Sequence, residues 1–388
     1  MQKGFLMAQS HLFSRVGKMA LTIALTLLIL ICAANLTGCQ QEDPKASIDH
    51  HLYLAESYVK QGQLKAAILE ARTILSLAPG NPRAIFVIAK TMLISGDARS
   101  AEKKIAELVK TDPTNPDYAF SLVDALLKLK QQHSASFELT RYEKAGGQLT
   151  DQYYTLIGRS HLLAKDFEKA KQGFQRSLEI LPNNPDALLG LAQTAHQENQ
   201  LDERDSFLQK AIDSSPEHIE TWLWKAMTAM SSENYPDAEE GFSNALLEMQ
   251  RFDTMTATKY LTLNGLVQAL IAQGKTDDAL RYSETLSNSA QGKLQSSFKD
   301  AVSAFQTGDF SIAEKVFQEI LEQAPAHGVT GTALGIISYS QGDFAEAESY
   351  LTQVLAGGDK VPDQAYKLLA VTRLKLDLAE ECLDIISN

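Results

Sequence analysis

Small and apolar residues return along this chain on a fixed beat. Ala67, Ala101 and Ala135 are 34 residues apart, as are Ala279, Ala313 and Ala347. Ala170 and Ala238 stand 68 apart, with Arg204 midway. Twelve residues before these nine positions lie Ala55, Ala89, Val123, Gly158, Ala192, Ala226, Val267, Ala301 and Gly335. Each unit reads as two amphipathic helices across a short turn, such as 48–61 and 64–77. Pro79 and Pro113, then Pro182 and Pro216, keep the interval; so do Gly62 and Gly96, then Gly274, Gly308 and Gly342.

The spacing has a physical reading. Small side chains at the two recurring positions let paired helix backbones approach closely. Glycine in the turn supplies a conformation that a side chain opposes. Aromatics just after the turn (Phe167, Tyr235, Phe310, Phe344) can plug the gap where a pair splays. Proline stops the second helix and suits the first turn of the next, as at Pro82 and Pro185. The register gains one residue around Gly146-Gly147, and seven between Ala238 and Ala279, where 249–258 makes a longer connection. The array therefore divides into blocks 48–150, 151–252 and 260–361, with 253–259 as connection and a partial or capping unit at 362–388 opened by Pro362.

These features resemble the tetratricopeptide (TPR) pattern over about residues 48–361, with its helix A aromatic present as Tyr154 or Trp222 or absent. The resemblance implies an all-α fold: a right-handed α-solenoid of about nine helix pairs plus a partial C-terminal unit. It also implies that helix A of each pair lines a concave binding face. Non-core positions there include Phe86, Lys90, Arg159, Leu162, His196, Leu223, Met227, Phe298, Val302, Phe305 and Tyr339. The middle block adds Trp222 and Trp224, so an extended partner segment is expected to bury apolar anchors there and pair its carboxylates with Arg159 and His196; in the rival reading the tryptophans fill the inter-repeat core. The Lys and Asn of chaperone-type carboxylate clamps are not matched, since Phe86 and Lys90 stand at those positions in the second unit.

The first 38 residues read differently. Lys3, Arg15 and Lys18 precede an almost wholly apolar run at 19–34, too short for a span of about 20 residues but suited to an export signal. Leu36-Thr37-Gly38-Cys39 resembles a bacterial lipobox. That resemblance implies cleavage before Cys39, lipid on its thiol and amine, a tether over 39–47, and, with Gln40 following, the periplasmic face of the outer membrane. Removing three cations takes the formal charge from −12 to −15. Two or three acyl chains hold a membrane far more firmly than one.

Composition and motifs exclude other classes. The chain has 48 acidic against 36 basic residues and no basic cluster, so nucleic acid is not an expected partner. Gly274-Lys275-Thr276 resembles the end of a P-loop, but Ala269 stands where that motif needs glycine, and a helix over 260–273 precedes it. The histidines form no H-E-x-x-H pair, the chain has no C-x-x-C and no G-x-S-x-G, and His50-His51 reads as a solvated helix start. Carboxylates are expected on outer helix faces. No enzyme activity, cofactor or metal is expected.

The lipobox followed by helix pairs, with Ala66–Arg72 (A-A-I-L-E-A-R) and Gly96–Glu102 (G-D-x-x-x-A-E), resembles the N-terminal part of the TPR-repeat lipoprotein of exosortase/PEP-CTERM systems. The resemblance implies a protein–protein scaffold supporting secretion, protein sorting or exopolysaccharide export. The alternatives are an adaptor recruiting cell-wall hydrolases, or a pilus or outer-membrane assembly lipoprotein. A last helix at 378–386 would expose Cys382, Leu383, Ile385 and Ile386, which suits self-association through that end.

Overall fold

The computed structural model describes residues 44–323, 327–357 and 361–378. In chain order the helices are α1 (Pro44–Lys60), α2 (Leu64–Leu77), α3 (Pro82–Ser95), α4 (Ala98–Thr111), α5 (Pro116–Lys128), α6 (Gln132–Lys144), α7 (Asp151–Leu163), α8 (Phe167–Ile180), α9 (Pro185–Gln197) and α10 (Leu201–Ser214). There follow α11 (Ile219–Ser231), α12 (Tyr235–Glu248), α13 (Ala257–Ala272), α14 (Thr276–Asn288), α15 (Ala290–Thr307), α16 (Phe310–Gln323), α17 (Gly328–Gln341), α18 (Phe344–Gly357) and α19 (Asp363–Lys375). The odd-numbered helices α1 to α17 open the hairpins.

One turn chemistry recurs throughout. Gly62, Gly96, Gly274, Gly308 and Gly342 adopt positive φ, and so do Lys130, Lys165, Asn199, Glu233 and Asp377, all between +59° and +104°. The following N–H reaches back five residues, as Gln63 donates to the Tyr58 carbonyl and Asp166 to that of His161, both at 2.9 Å. This satisfies carbonyls that a helix end would otherwise leave without partners. Asp97, Asp166, Asn234 and Asp343 then cap the next helix through their side chains. Between hairpins, Asn81, Asn115 and Asn184 cap helices whose first residue is proline.

Two compact units divide at Ile88/Ala89, inside α3. In the first, Leu52, Ala55, Ala67, Ala71, Ile74, Ala84 and Val87 form the core. Its first helix begins at Pro44, so it takes in four residues of the expected tether. His50 and His51 consequently lie within α1 and not at its start, and His51 Nδ1 pairs with Glu70 at 2.5 Å.

In the second unit the recurring small residues are buried, from Ala89 and Ala101 to Ala313 and Ala347. The closest approaches need glycine. A methyl group at Gly173 would lie 2.7 Å from the Gly158 backbone nitrogen. The fully buried Phe174 ring fills the space between hairpins: methyl groups on Gly158 and Gly190 would come within 2.6 and 2.3 Å of it. Phe242 stands in the same relation to Gly265, at 2.4 Å.

The register slips have visible causes. Gly146 takes φ +88°, and Tyr142 closes over Gly147 while its hydroxyl donates to the Gln148 carbonyl at 3.2 Å. The longer connection is a 3-10 turn at Met249–Arg251 with Met249 buried, followed by residues leading to the Thr256 cap of α13. The aromatics after the turns cover their gaps only in part; Phe310 is 38% exposed. Pro362 caps α19, whose expected partner helix lies outside the described residues, as do Cys382, Leu383, Ile385 and Ile386.

Candidate functional site

Odd-numbered helices of the second unit line a recess of about 540 Å³. The repeat register explains its membership. One residue after each small position come Lys90, Asp124, Arg159, Gln193 and Met227, and three residues before it come Phe120, Thr155, Leu189 and Leu223; all line the recess. Trp224 completes the α11 wall, where Met227 is 62% exposed.

Charges cross the recess as an ion ladder. Asp124 receives Arg159 at 3.0 Å and Lys128 at 3.7 Å. His218, which precedes α11, lies 3.4 Å from Asp186 and 3.6 Å from Glu220, while its Nδ1 meets the Thr221 hydroxyl at 2.6 Å. Burial works against a charged His218, but the hydrogen bond and charge of Asp186, with Glu220 and Glu217 beyond, raise its pKa above the ordinary value. Burial likewise opposes ionised Asp186, yet the hydrogen bond and charge of His218, then the charges of Arg159 and Lys128, hold its pKa below the usual range. Lys90 donates to the Ser121 hydroxyl at 3.4 Å.

A second recess of about 390 Å³ adjoins the first, sharing Arg159, Gln193 and Trp224 as a common wall. Its other walls are Leu127, Leu162, Leu163 and Phe167, and its other polar groups are Lys165 and Gln197. It is thus lined by two cations and no carboxylate.

The sequence-predicted residues do not all converge. Lys90, Arg159, Leu223 and Met227 meet in the first recess. His196 sits beside it, its ring edge-on to Trp224 at 5.7 Å; its buried Nδ1 has no hydrogen-bond partner among the described residues. Trp222 is core, 9% exposed, packed with Ile219, Ala245 and Met249, and its Nε1 donates to the Pro216 carbonyl at 2.6 Å. Phe298 packs on Phe317 and His327 and lines a separate recess with Val302. Phe305 and Tyr339 meet Phe310 and Phe344 edge-on, with ring centroids 5.6 and 5.2 Å apart. Phe86, in the first unit, is half-buried. Arg159 is paired with Asp124 within the chain. Asp124, Gln193 and Phe120 were legible from the same register positions and were missed; Asp186 and Glu220 also line the recess instead of an outer face.

Gly274-Lys275-Thr276 forms a hairpin turn, with Lys275 paired to Glu239 at 2.6 Å. Among the described residues no His, Cys, Asp or Glu group is arranged to hold a metal ion, and no helix is long and apolar enough to cross a membrane. Leu36, Thr37, Gly38 and Cys39 lie outside the described residues.

Comparison with known proteins bears on the fold. One tetratricopeptide-repeat family matches residues 58–126 and 161–203, and another matches 332–365. No protein of curated function matches the chain. Among solved structures, a thermophilic TPR protein of Thermus thermophilus is 20% identical, covering 45% of this chain and 94% of its own, with a TM-score of 0.41. The MamA protein is 18% identical over 44% of this chain and 92% of its own, TM-score 0.35. The APC/C hetero-tetramer Cut9–Hcn1 covers 87% of this chain and 86% of its own at 15% identity, TM-score 0.30. Helix pairs on a 34-residue beat and the two family matches together make this chain an all-α solenoid carrying tetratricopeptide repeats.

Proposed function

We propose that this chain is a lipid-anchored, non-catalytic scaffold of the bacterial envelope that binds an extended segment of a partner along the two recesses of its second unit. Tetratricopeptide repeats generally mediate protein–protein binding. The observation that carries the reading is the continuous surface formed by α3, α5, α7, α9 and α11, where Trp224 and Met227 offer apolar area beside fixed charges. Large aromatic groups in such places are the usual anchors of an interface. The lipobox around Cys39 supports anchoring at the periplasmic face of the outer membrane. The A-A-I-L-E-A-R and G-D-x-x-x-A-E phrases support service to a secretion, protein-sorting or exopolysaccharide-export assembly.

Two measurements test the reading. Cys39→Ser should abolish labelling by a palmitate analogue; a wild-type chain that takes up no label refutes the anchor. Trp224→Ala with Met227→Ala should deplete envelope proteins co-purified from detergent-solubilised cells while the helical circular-dichroism signal is retained. An unchanged co-purified set refutes the groove.

A further inference from the structure

The second recess carries a charge pattern that the chain as a whole does not. The chain's formal charge is −12, yet this recess is lined by Arg159 and Lys165 with no acid. The neighbouring carboxylates are engaged elsewhere. Asp124 holds Arg159 from the first recess, Asp166 caps α8 and pairs with Lys169 at 2.9 Å, and Glu198 pairs with Lys171 at 2.6 Å. Lys165 makes no ion pair among the described residues. Its backbone has φ +62°, a conformation that glycine supplies at five of the ten turns. Lys130, Asn199, Glu233 and Asp377 hold the same conformation at other turns, and at this turn the side chain is a cation at the mouth of the recess.

Building on the scaffold reading above, we infer that the segment selected by this groove carries a large apolar side chain with a carboxylate next to it. The apolar group enters between Leu162, Phe167 and Trp224, and the carboxylate meets Lys165. Arg159, held by Asp124, shapes the shared wall. The ligand is a peptide chain and not a small acid because the two recesses are continuous: a chain leaving the second recess passes Trp224 and Gln193 and enters the first. There the ladder from Lys128 to Glu220 offers both signs of charge to whatever follows, so the sharpest selection falls on the apolar–acidic pair.

Panning a random dodecapeptide display library against the full-length chain in detergent tests this. Enriched peptides should place Phe, Trp, Leu or Met beside Asp or Glu, and a synthetic peptide from that set should lose about tenfold in affinity on Lys165→Gly. The same substitution should raise stability by relieving the turn, so binding and folding move in opposite directions, which a merely structural lysine would not produce. Lys165→Glu should shift the enriched set towards Lys or Arg beside the apolar residue. Enriched peptides without an acid, or with affinity indifferent to Lys165→Gly but sensitive to Trp224→Ala, overturn this inference and leave the groove standing. Enriched peptides indifferent to both Trp224→Ala and the shared-wall change Gln193→Glu overturn the groove itself.

Discussion

Replacing Gly190 by alanine sets two well-known effects against each other at one atom. Gly190 lies within α9, where helical preference alone favours alanine by about 0.5–1 kcal/mol. The added methyl would sit 2.3 Å from the Phe174 ring, well inside contact distance. The ring has nowhere to go: it is fully buried, and its other side is closed by Gly158. Overpacking of this kind costs about 1–3 kcal/mol, so Gly190→Ala should destabilise by about 1–2 kcal/mol net. Phe174→Leu alone should cost about 1–2 kcal/mol through the void it leaves. In the double variant the methyl occupies part of that void, giving a favourable coupling of about 1–2 kcal/mol. The chain's two tryptophans, Trp222 and Trp224, both stand on α11, in the next hairpin, so urea unfolding followed by tryptophan emission reports on this neighbourhood. A stabilised Gly190→Ala, or strictly additive effects, would refute the reasoning.

Other expectations follow from the same packing and charges. Lys130→Gly, Asn199→Gly and Glu233→Gly should each raise stability by about 0.5–1 kcal/mol, read as a higher urea midpoint, because each removes a side chain from positive φ. Trp222→Ala should cost about 3–5 kcal/mol, whereas Met227→Ala should change the melt by less than about 0.5 kcal/mol; similar losses would contradict their burial. His218 has a raised pKa, so its contribution is full below the ordinary histidine range and is lost as pH rises through the raised value. Asp186 has a lowered one, so its contribution is present above the ordinary carboxylate range and is lost as pH falls through the lowered value. The stability gap between wild type and His218→Gln should therefore be larger near about pH 5.5 than near about pH 9, and a gap that widens with pH would reverse the assignment.

The period made much of this legible. The bounds 64–77 match α2, and the recurring small positions are buried because a single lateral spacing between helices repeats. What escaped was set by relations between residue types. Lys130, Lys165 and Glu233 carry no sign of positive φ except their place on the beat, and glycine alone was read there. Gly190 and Gly265 are explained only by the rings of Phe174 and Phe242 opposite them. Asp124 and Gln193 share a register with Lys90, Arg159 and Met227, but an acid and an amide on a helix carry no mark in the sequence that separates a recess wall from a solvated face. Trp222 was drawn towards the groove by its neighbour Trp224, although successive helix residues point about 100° apart.

Because every hairpin closes on the same turn, the second unit can be cut and rejoined only in certain phases. Excising residues 166–199 would join Lys165 to Gln200, so that Lys165 takes the place of Asn199, a residue with nearly the same φ (60° against 62°). That excision removes Phe174 and Gly190 together and leaves no ring without its complement. Shifting the same excision to 182–215 would remove Gly190 but keep Phe174, bringing Trp224 to the position where a single methyl group is already too large. Length variation in this array is thus quantised by hairpin and also phased, with permitted junctions at the turns and forbidden ones wherever a bulky ring would be separated from its glycine.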